Sequence, residues 1–156
     1  MKFEWMKELN EFILSVNDFL HNEENHNLVQ YPSTALNTWD TDSISIENDS
    51  LLNSISGTAN IYAIFECKKE SGETTLKYIG KTSRHLARQR LRNHLIKKHS
   101  ATGAKLKEVQ KSVREGNLIK VAYLPIEPES LRNYVEEELI ILNKNAVWNR
   151  ENANQK

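Results

Sequence analysis

Five side chains able to bind or protonate an anion crowd one stretch of the chain: Arg84, Arg88, Arg90, Arg92 and His94. If this stretch is helical, Ala87, Leu91 and Leu95 form its buried stripe. Arg90 and His94 then share one flank, and Arg88 and Arg92 the other. Such a pair beside a sheet suits a phosphodiester, because arginine offers a planar fork to non-bridging oxygens and histidine can donate or accept a proton. A solvated basic helix has the same composition. Further along, Glu136, Glu137 and Glu138 precede Leu139, with Tyr134, Val135, Leu139 and Leu142 as candidates for the core face. A glutamate at the edge of that face could bind a divalent cation whose other positions are filled by water. An acidic run in the first part of a helix is also what the helix dipole favours. Tyr62 and Tyr78 lie on two separate β-prone segments; as residue types they more often pack than react.

The charge is segregated along the chain. Its 156 residues carry 21 basic and 21 acidic side chains. Residues 1–57 hold 2 basic and 10 acidic residues, residues 58–120 hold 15 and 5, and residues 121–156 hold 4 and 6. Within residues 77–120 the count is 13 against 2, a balance of +11 in a chain of net charge zero. A window of that sign points to a polyanion-binding face.

The elements that must position these residues follow from periodicity. Phe3, Met6, Leu9, Ile13, Val16 and Leu20 recur at helical spacing over residues 1–22. Residues 22–58 are rich in Asn, Ser, Thr and Asp and read as loop with a short strand or helical turn at most. Residues 60–66 and 75–79 read as a β-hairpin with Gly72 in its turn. Thr82 or Ser83 is placed to cap a helix running to about His99. A second helix spans about Ala104 to Glu115 on Leu106, Val109 and Val113 and stops at Gly116. Residues 117–124 read as a third strand, and a last helix runs from Ser130 to about Asn143. The expected fold is α+β: a small three-stranded sheet in the order β-β-α-α-β-α, preceded by an N-terminal helix. Residues 1–57 then form an acidic extension to a unit of residues 58–156.

Composition bounds the class. Length favours one domain able to bury a core. The longest apolar stretch, Phe12 to Leu20, is interrupted by Ser15, Asn17 and Asp18 and falls short of a membrane span. Glu4, Glu8 and Glu11 stand where a signal peptide would be basic. The single cysteine, Cys67, excludes an internal disulfide framework. These features suggest a soluble, cytoplasmic protein.

Taken in order, Asn60-Ile61-Tyr62, Tyr78-Ile79-Gly80-Lys81-Thr82, Arg90-Leu91-Arg92-Asn93-His94, Glu136 with Leu139-Ile140, and Trp148-Asn149 resemble the motifs of the GIY-YIG nuclease family. The resemblance covers roughly residues 58–150, and the Arg-Leu-Arg-x-His form is most similar to small type II restriction enzymes of that superfamily. One departure is Asn60, where the family usually has glycine. Two registers stay open: Arg90 keeps the four-residue step to His94 whereas Arg88 fits another branch, and Glu136 has the Leu-Ile offset whereas Glu137 fits the distance to the final asparagine. Arg90 and Glu136 are the choices made here.

The resemblance implies a metal-dependent endonuclease that hydrolyses DNA phosphodiester bonds, restriction-like or encoded by a phage or mobile element. Glu136 would hold one Mg²⁺ or Mn²⁺, Arg90 would pair with a non-bridging oxygen, and Tyr62 would orient or deprotonate the attacking water with Tyr78 beside it. A free tyrosine is a poor base at neutral pH, so cationic His94 or Lys81 would lower its pKa or relay the proton. Asn149 would anchor the site, next to Trp148 as a plug. Arg84, Arg88, Arg92, Lys97, Lys98, Lys105 and Lys107 would position the DNA backbone. One site per strand calls for a homodimer if both strands are cut. A nonspecific or structure-specific nuclease, acting in repair or as a toxin, and an inactive nucleic-acid-binding module are the competing functions. The acidic extension could pack on the core, form a dimer interface, help read DNA or mask the basic face.

Overall fold

A computed structural model describes residues 1–99 and 103–153. The described elements, in chain order, are α1 (Met6–His21), β1 (Asn27–Leu28), α2 (Thr41–Glu47), α3 (Asp49–Ile55), β2 (Ile61–Cys67), β3 (Thr74–Lys81), α4 (Ala87–Leu95), α5 (Leu106–Arg114), β4 (Leu118–Leu124) and α6 (Arg132–Leu142). The four strands form one antiparallel sheet in the order β1-β4-β2-β3. Central β2 is covered on both faces, which is why its apolar residues run on without alternation. On one face Tyr62, Ile64 and Val121 pack with Leu52 and Ile55 of α3, Leu91 and Leu95 of α4 and Val109 of α5. On the other, Ile61, Ala63, Phe65 and Ile79 pack with Val16 and Leu20 of α1 and Val135 and Leu139 of α6. The architecture is helices, sheet, helices. Among the described residues no helix is long and apolar enough to cross a membrane.

A bulge in β3 sets the direction of the site. The β2–β3 register moves from Ile64↔Tyr78 to Phe65↔Leu76, so Lys77 is the extra residue. Strand alternation would place Leu76 and Tyr78, two apart, on the same face. With Lys77 inserted, Leu76 joins the α1/α6 core and Tyr78 packs with the α4/α5 core. The bulge thereby turns Tyr78 to the side that carries Tyr62 and α4.

The expected three strands become four, and the stretch read as loop contains two helices. Strand β1 is two residues long and its Leu28 is exposed, so it leaves no periodic trace in the sequence. Helices α2 and α3 have seven residues each and are rich in Ser, Asp and Ile, poor intrinsic helix formers. Tertiary burial of Ile44, Leu52 and Ile55 holds them. Asp40 caps α2 by accepting from the Asp42 and Ser43 amides. The stripe read on α1 is buried from Ile13 onward, whereas Phe3 precedes the helix and is exposed. On α6 the buried residues are Val135, Leu139 and Ile140, and Leu142 is exposed. Neither Thr82 nor Ser83 caps α4: a single turn, Arg84–Leu86, intervenes, and Thr82 Oγ1 instead donates to the Ser83 carbonyl.

The N-terminal third is built into the molecule and grips α4. At the C-terminal end of α4, where helix carbonyls lack intrahelical partners, Tyr31 Oη donates to Leu95 O at 2.8 Å and Trp39 Nε1 to Ile96 O at 2.7 Å. Near its start, Arg88 donates to Asp49 at 2.8 Å and Asn53 at 2.6 Å. Trp39 adopts φ 52°, a left-handed conformation that few non-glycine residues occupy. Its burial, its bond to Ile96 and the Arg114 guanidinium 5.6 Å from its ring hold it there. Trp39→Phe or Tyr31→Phe should each cost about 1–3 kcal/mol, because a buried carbonyl loses its donor. Hydrogen exchange should quicken selectively along α4. Unchanged protection of α4 in a destabilised variant would contradict these contacts as its clasp.

Candidate active site

The Tyr62 ring lies across the strand pair over Gly80, its register partner. A Cβ on residue 80 would fall 2.7 Å from Tyr62 Cε2, and nearer still to Cζ and the hydroxyl oxygen. Glycine is therefore needed for close approach rather than for a special dihedral angle. The ring reaches past Gly80 to α4, where Tyr62 Oη and His94 Nε2 are 2.8 Å apart. Both side chains are fully buried.

The other ring nitrogen fixes the proton. His94 Nδ1 accepts the backbone N–H of Lys105 at 3.0 Å. Burial first, then the positive charges of Arg90 and Lys105, push the His94 imidazole down to about 3. The ring is thus neutral at pH 7, with its single proton on Nε2, and it donates to Tyr62. This corrects the expectation of a cationic His94: the residue is a neutral donor. Burial, with Tyr78 adding to it, raises the Tyr62 pKa, while Arg90 opposes the rise. Tyr78 is also raised by burial, Arg90 opposes the rise and Glu136 adds to it. Donors therefore run in series from the Lys105 amide through His94 to Tyr62, and the Tyr78 ring packs against both, its centroid 5.0 Å from that of His94 and 6.2 Å from that of Tyr62.

Tyr78 faces outward where Tyr62 does not. A hollow of about 340 Å³ is lined by Tyr78, Arg90, Lys105, Glu136, Asn149 and Glu151, contributed by β3, α4, the approach to α5, α6 and the C-terminal segment. Lys105 Nζ stands 5.9 Å from the Tyr78 ring centre. The carboxylate of Glu136, 16% exposed, pairs with Lys81 at 2.9 Å. Glu137 is exposed and borders a neighbouring hollow instead. Arg90 lines the hollow, whereas Arg88 is engaged by α3.

Asn149 holds the frame rather than the opening. Its amide donates to Ile79 O at 2.8 Å and accepts from Ile79 N at 2.9 Å, and Trp148 N donates to Lys77 O at 2.9 Å. Residues 148–149 thereby pair with the outer edge of β3, an edge strand whose backbone groups need partners. Asn60 does the same at the start of β2: its amide donates to Ile126 O at 2.8 Å and accepts from Ile126 N at 2.7 Å. It contributes a pair of bonds that glycine lacks.

The basic side chains divide. Arg84 is tied to Glu127 at 2.9 Å and Arg88 to Asp49 at 2.8 Å. Arg92 is partly exposed, and Lys97, Lys98 and Lys107 are exposed. Sequence reading missed Glu151 at the rim, for which no motif exists, and the Lys105 contribution to His94, which is a backbone amide and has no side-chain signature. Comparison of the chain with protein-family models, with curated proteins and with solved structures returned no match.

Two outcomes are expected from this geometry. Gly80→Ala should destabilise by about 1–3 kcal/mol through overpacking, and Tyr62→Ala in the same chain should recover part of that loss; strictly additive costs would contradict the close approach. The unfolded chain takes up a proton at His94 near 6.5, while the folded chain resists it until about 3. Stability present above that window should therefore fall as pH drops through it, with a slope approaching about 1.4 kcal/mol per pH unit. Urea titrations of wild type and His94→Gln should show the gap between them closing as pH falls; parallel curves would contradict a buried neutral His94.

Proposed function

We propose that the chain is a divalent-metal-dependent endonuclease of the GIY-YIG type that hydrolyses DNA phosphodiester bonds. The observation that carries this reading is the convergence of Tyr78, Arg90 and Glu136, from three separate elements, on one hollow, with Asn149 bracing its strand. An arginine, a phenol and a lone carboxylate are suited to a phosphate, an attacking water and a cation, respectively.

The donor set fits a hard cation that keeps most of its water. Among the described residues no three His, Cys, Asp or Glu side chains gather into a closed metal cage. Glu136 offers one carboxylate and Glu151 lies on the same rim. Mg²⁺ is commonly held by one or two carboxylates together with substrate phosphate and water, and Mn²⁺ accepts the same donors. Bound at Glu136, such an ion would supply Lewis acidity at the phosphate and the leaving 3′ oxygen.

The chain's own groups do the rest. Arg90 pairs with a non-bridging oxygen and offsets charge that develops as water attacks phosphorus and the bond to the 3′ oxygen breaks, the proton that water gives up ending on that oxygen by way of solvent. Tyr78, protonated at neutral pH because burial raises it, holds the attacking water by hydrogen bonding. Tyr62 and His94 pack against the Tyr78 ring and fix its position. Lys81 competes for the Glu136 carboxylate and neutralises it when no cation is present. Lys97, Lys98 and Lys107 attract the DNA backbone without reading its sequence.

Supercoiled plasmid incubated with the full chain and Mg²⁺ or Mn²⁺ should be cut, and EDTA or Glu136→Gln should abolish cutting. Arg90→Ala should slow single-turnover cleavage by about 10²–10³-fold, and Tyr78→Phe should cost more than Tyr62→Phe. Discrete fragments would mark a restriction-like enzyme; nicks or a smear would mark a nonspecific or structure-selective one. Cleavage unaffected by EDTA would overturn the metal dependence, and plasmid, single-stranded and branched DNA all left intact would overturn the reading in favour of a binding module.

A further inference from the structure

Beside the candidate active site lies a second hollow, most of whose groups the proposed chemistry leaves unused. It encloses about 470 Å³, within the roughly 300–1,000 Å³ of small-molecule sites. Lys81 and Ser83 bound it at the end of β3, Leu86, Gln89 and Asn93 on the outward side of α4, and Arg132 at the start of α6. Arg90 lines both hollows, so whatever enters the second is joined to whatever occupies the first.

Asn93 is the informative residue. The residue is only 5% exposed, it lines the hollow, and no hydrogen bond to its amide is formed among the described residues. Every other buried asparagine amide described above is bonded to backbone, as burial requires. Ser83 Oγ, on the same wall, is buried without a partner among the described residues. The lining includes three cations, Lys81, Arg90 and Arg132, and no carboxylate. Arg132 spends one nitrogen on the Glu129 carbonyl at 2.8 Å and has no carboxylate within ion-pair distance among the described residues. Leu86, 47% exposed, adds an apolar wall.

We propose that this hollow is a nucleotide subsite that holds a purine next to the phosphate seated at Arg90, with Arg132 on the nucleotide's phosphate and the Asn93 and Gln89 amides on the base edge. An amide presents a donor and an acceptor side by side, the complement of N7 and the exocyclic amine of adenine. The N7 and O6 acceptors of guanine can each take a bond from one of the two amide NH2 groups, and pyrimidines have no N7. Leu86 would cover the base face. The identity of the neighbouring phosphate as the scissile one rests on the nuclease reading; occupancy by a purine nucleotide does not.

The test is a metal-free titration of the full ¹⁵N-labelled chain with the four deoxynucleoside 5′-monophosphates and, separately, inorganic phosphate. The side-chain amide signals of Asn93 and Gln89 should shift with dAMP and dGMP, with affinity about tenfold or more above that for dCMP, dTMP and phosphate. Asn93→Leu should erase that preference while retaining phosphate binding, and Gln89→Leu, at an exposed position, should weaken it if the Asn93 variant does not fold. Equal affinity for all five ligands would reduce the hollow to an anion site and overturn the proposal, as would any titration to millimolar ligand that leaves Asn93 and Gln89 unmoved. No cleavage is read, so the two proposals fail separately. A chain that binds purines here and never cuts DNA keeps the subsite and loses the nuclease, and one that cuts DNA with no shift at Asn93 does the reverse.

Discussion

The packing of the Tyr62 ring over Gly80 is the constraint on which the site's geometry depends. Since residue 80 has no side chain, the ring can lie across β2 and β3 and carry its hydroxyl to His94 on α4. That bond fixes how closely α4 approaches the sheet, and α4 carries Arg90 as well. The Lys105 amide closes the arrangement from the other side of the imidazole. A helix, two strands and the approach to α5 are thus held by one line of hydrogen bonds through a buried aromatic pair. A buried polar network of this kind must be fully satisfied to be tolerated, and here each member has a partner.

Buried asparagines do comparable work where the chain is irregular. Asn60 clamps Ile126, Asn149 clamps Ile79, and Asn48 clamps Gln30, each accepting from the backbone N–H and donating to the C=O of one residue. A primary amide reproduces the donor and acceptor that a neighbouring strand would present. Segments too short or too bent to join the sheet are stitched to it in this way. The N-terminal third uses the same economy: Tyr31 and Trp39 complete the frayed end of α4 with two side-chain donors.

Features with strong periodicity were legible in the sequence. The β2–β3 hairpin, the Ala87-Leu91-Leu95 stripe and the Leu106-Val109-Val113 face all occur where the pattern places them. The Arg90–His94 step puts both side chains on one flank, where His94 bonds to Tyr62 and packs on Tyr78 while Arg90 lines the hollow beside Tyr78. What was not legible depends on partners distant in the chain. The pairing of β1 with Lys120 and Val121 lies in two residues, and α2 and α3 owe their helicity to burial rather than propensity. The Lys77 bulge cannot be seen without the opposing strand, so the separation of roles between outward Tyr78 and buried Tyr62 was hidden too. The charge state of His94 was hidden for the same reason, because it follows from burial and from a backbone amide eleven residues away.

The most direct test of the central claim is the tautomer of His94. Long-range ¹H–¹⁵N correlation spectra of the full chain should show an unprotonated Nδ1 and a protonated Nε2 at pH 7, unchanged down to pH 5. A proton on Nδ1, whether in the neutral ring or in an imidazolium, would mean that the Lys105 amide has no acceptor there, and the hydrogen-bond line that ties Tyr62 to α4 would be wrong.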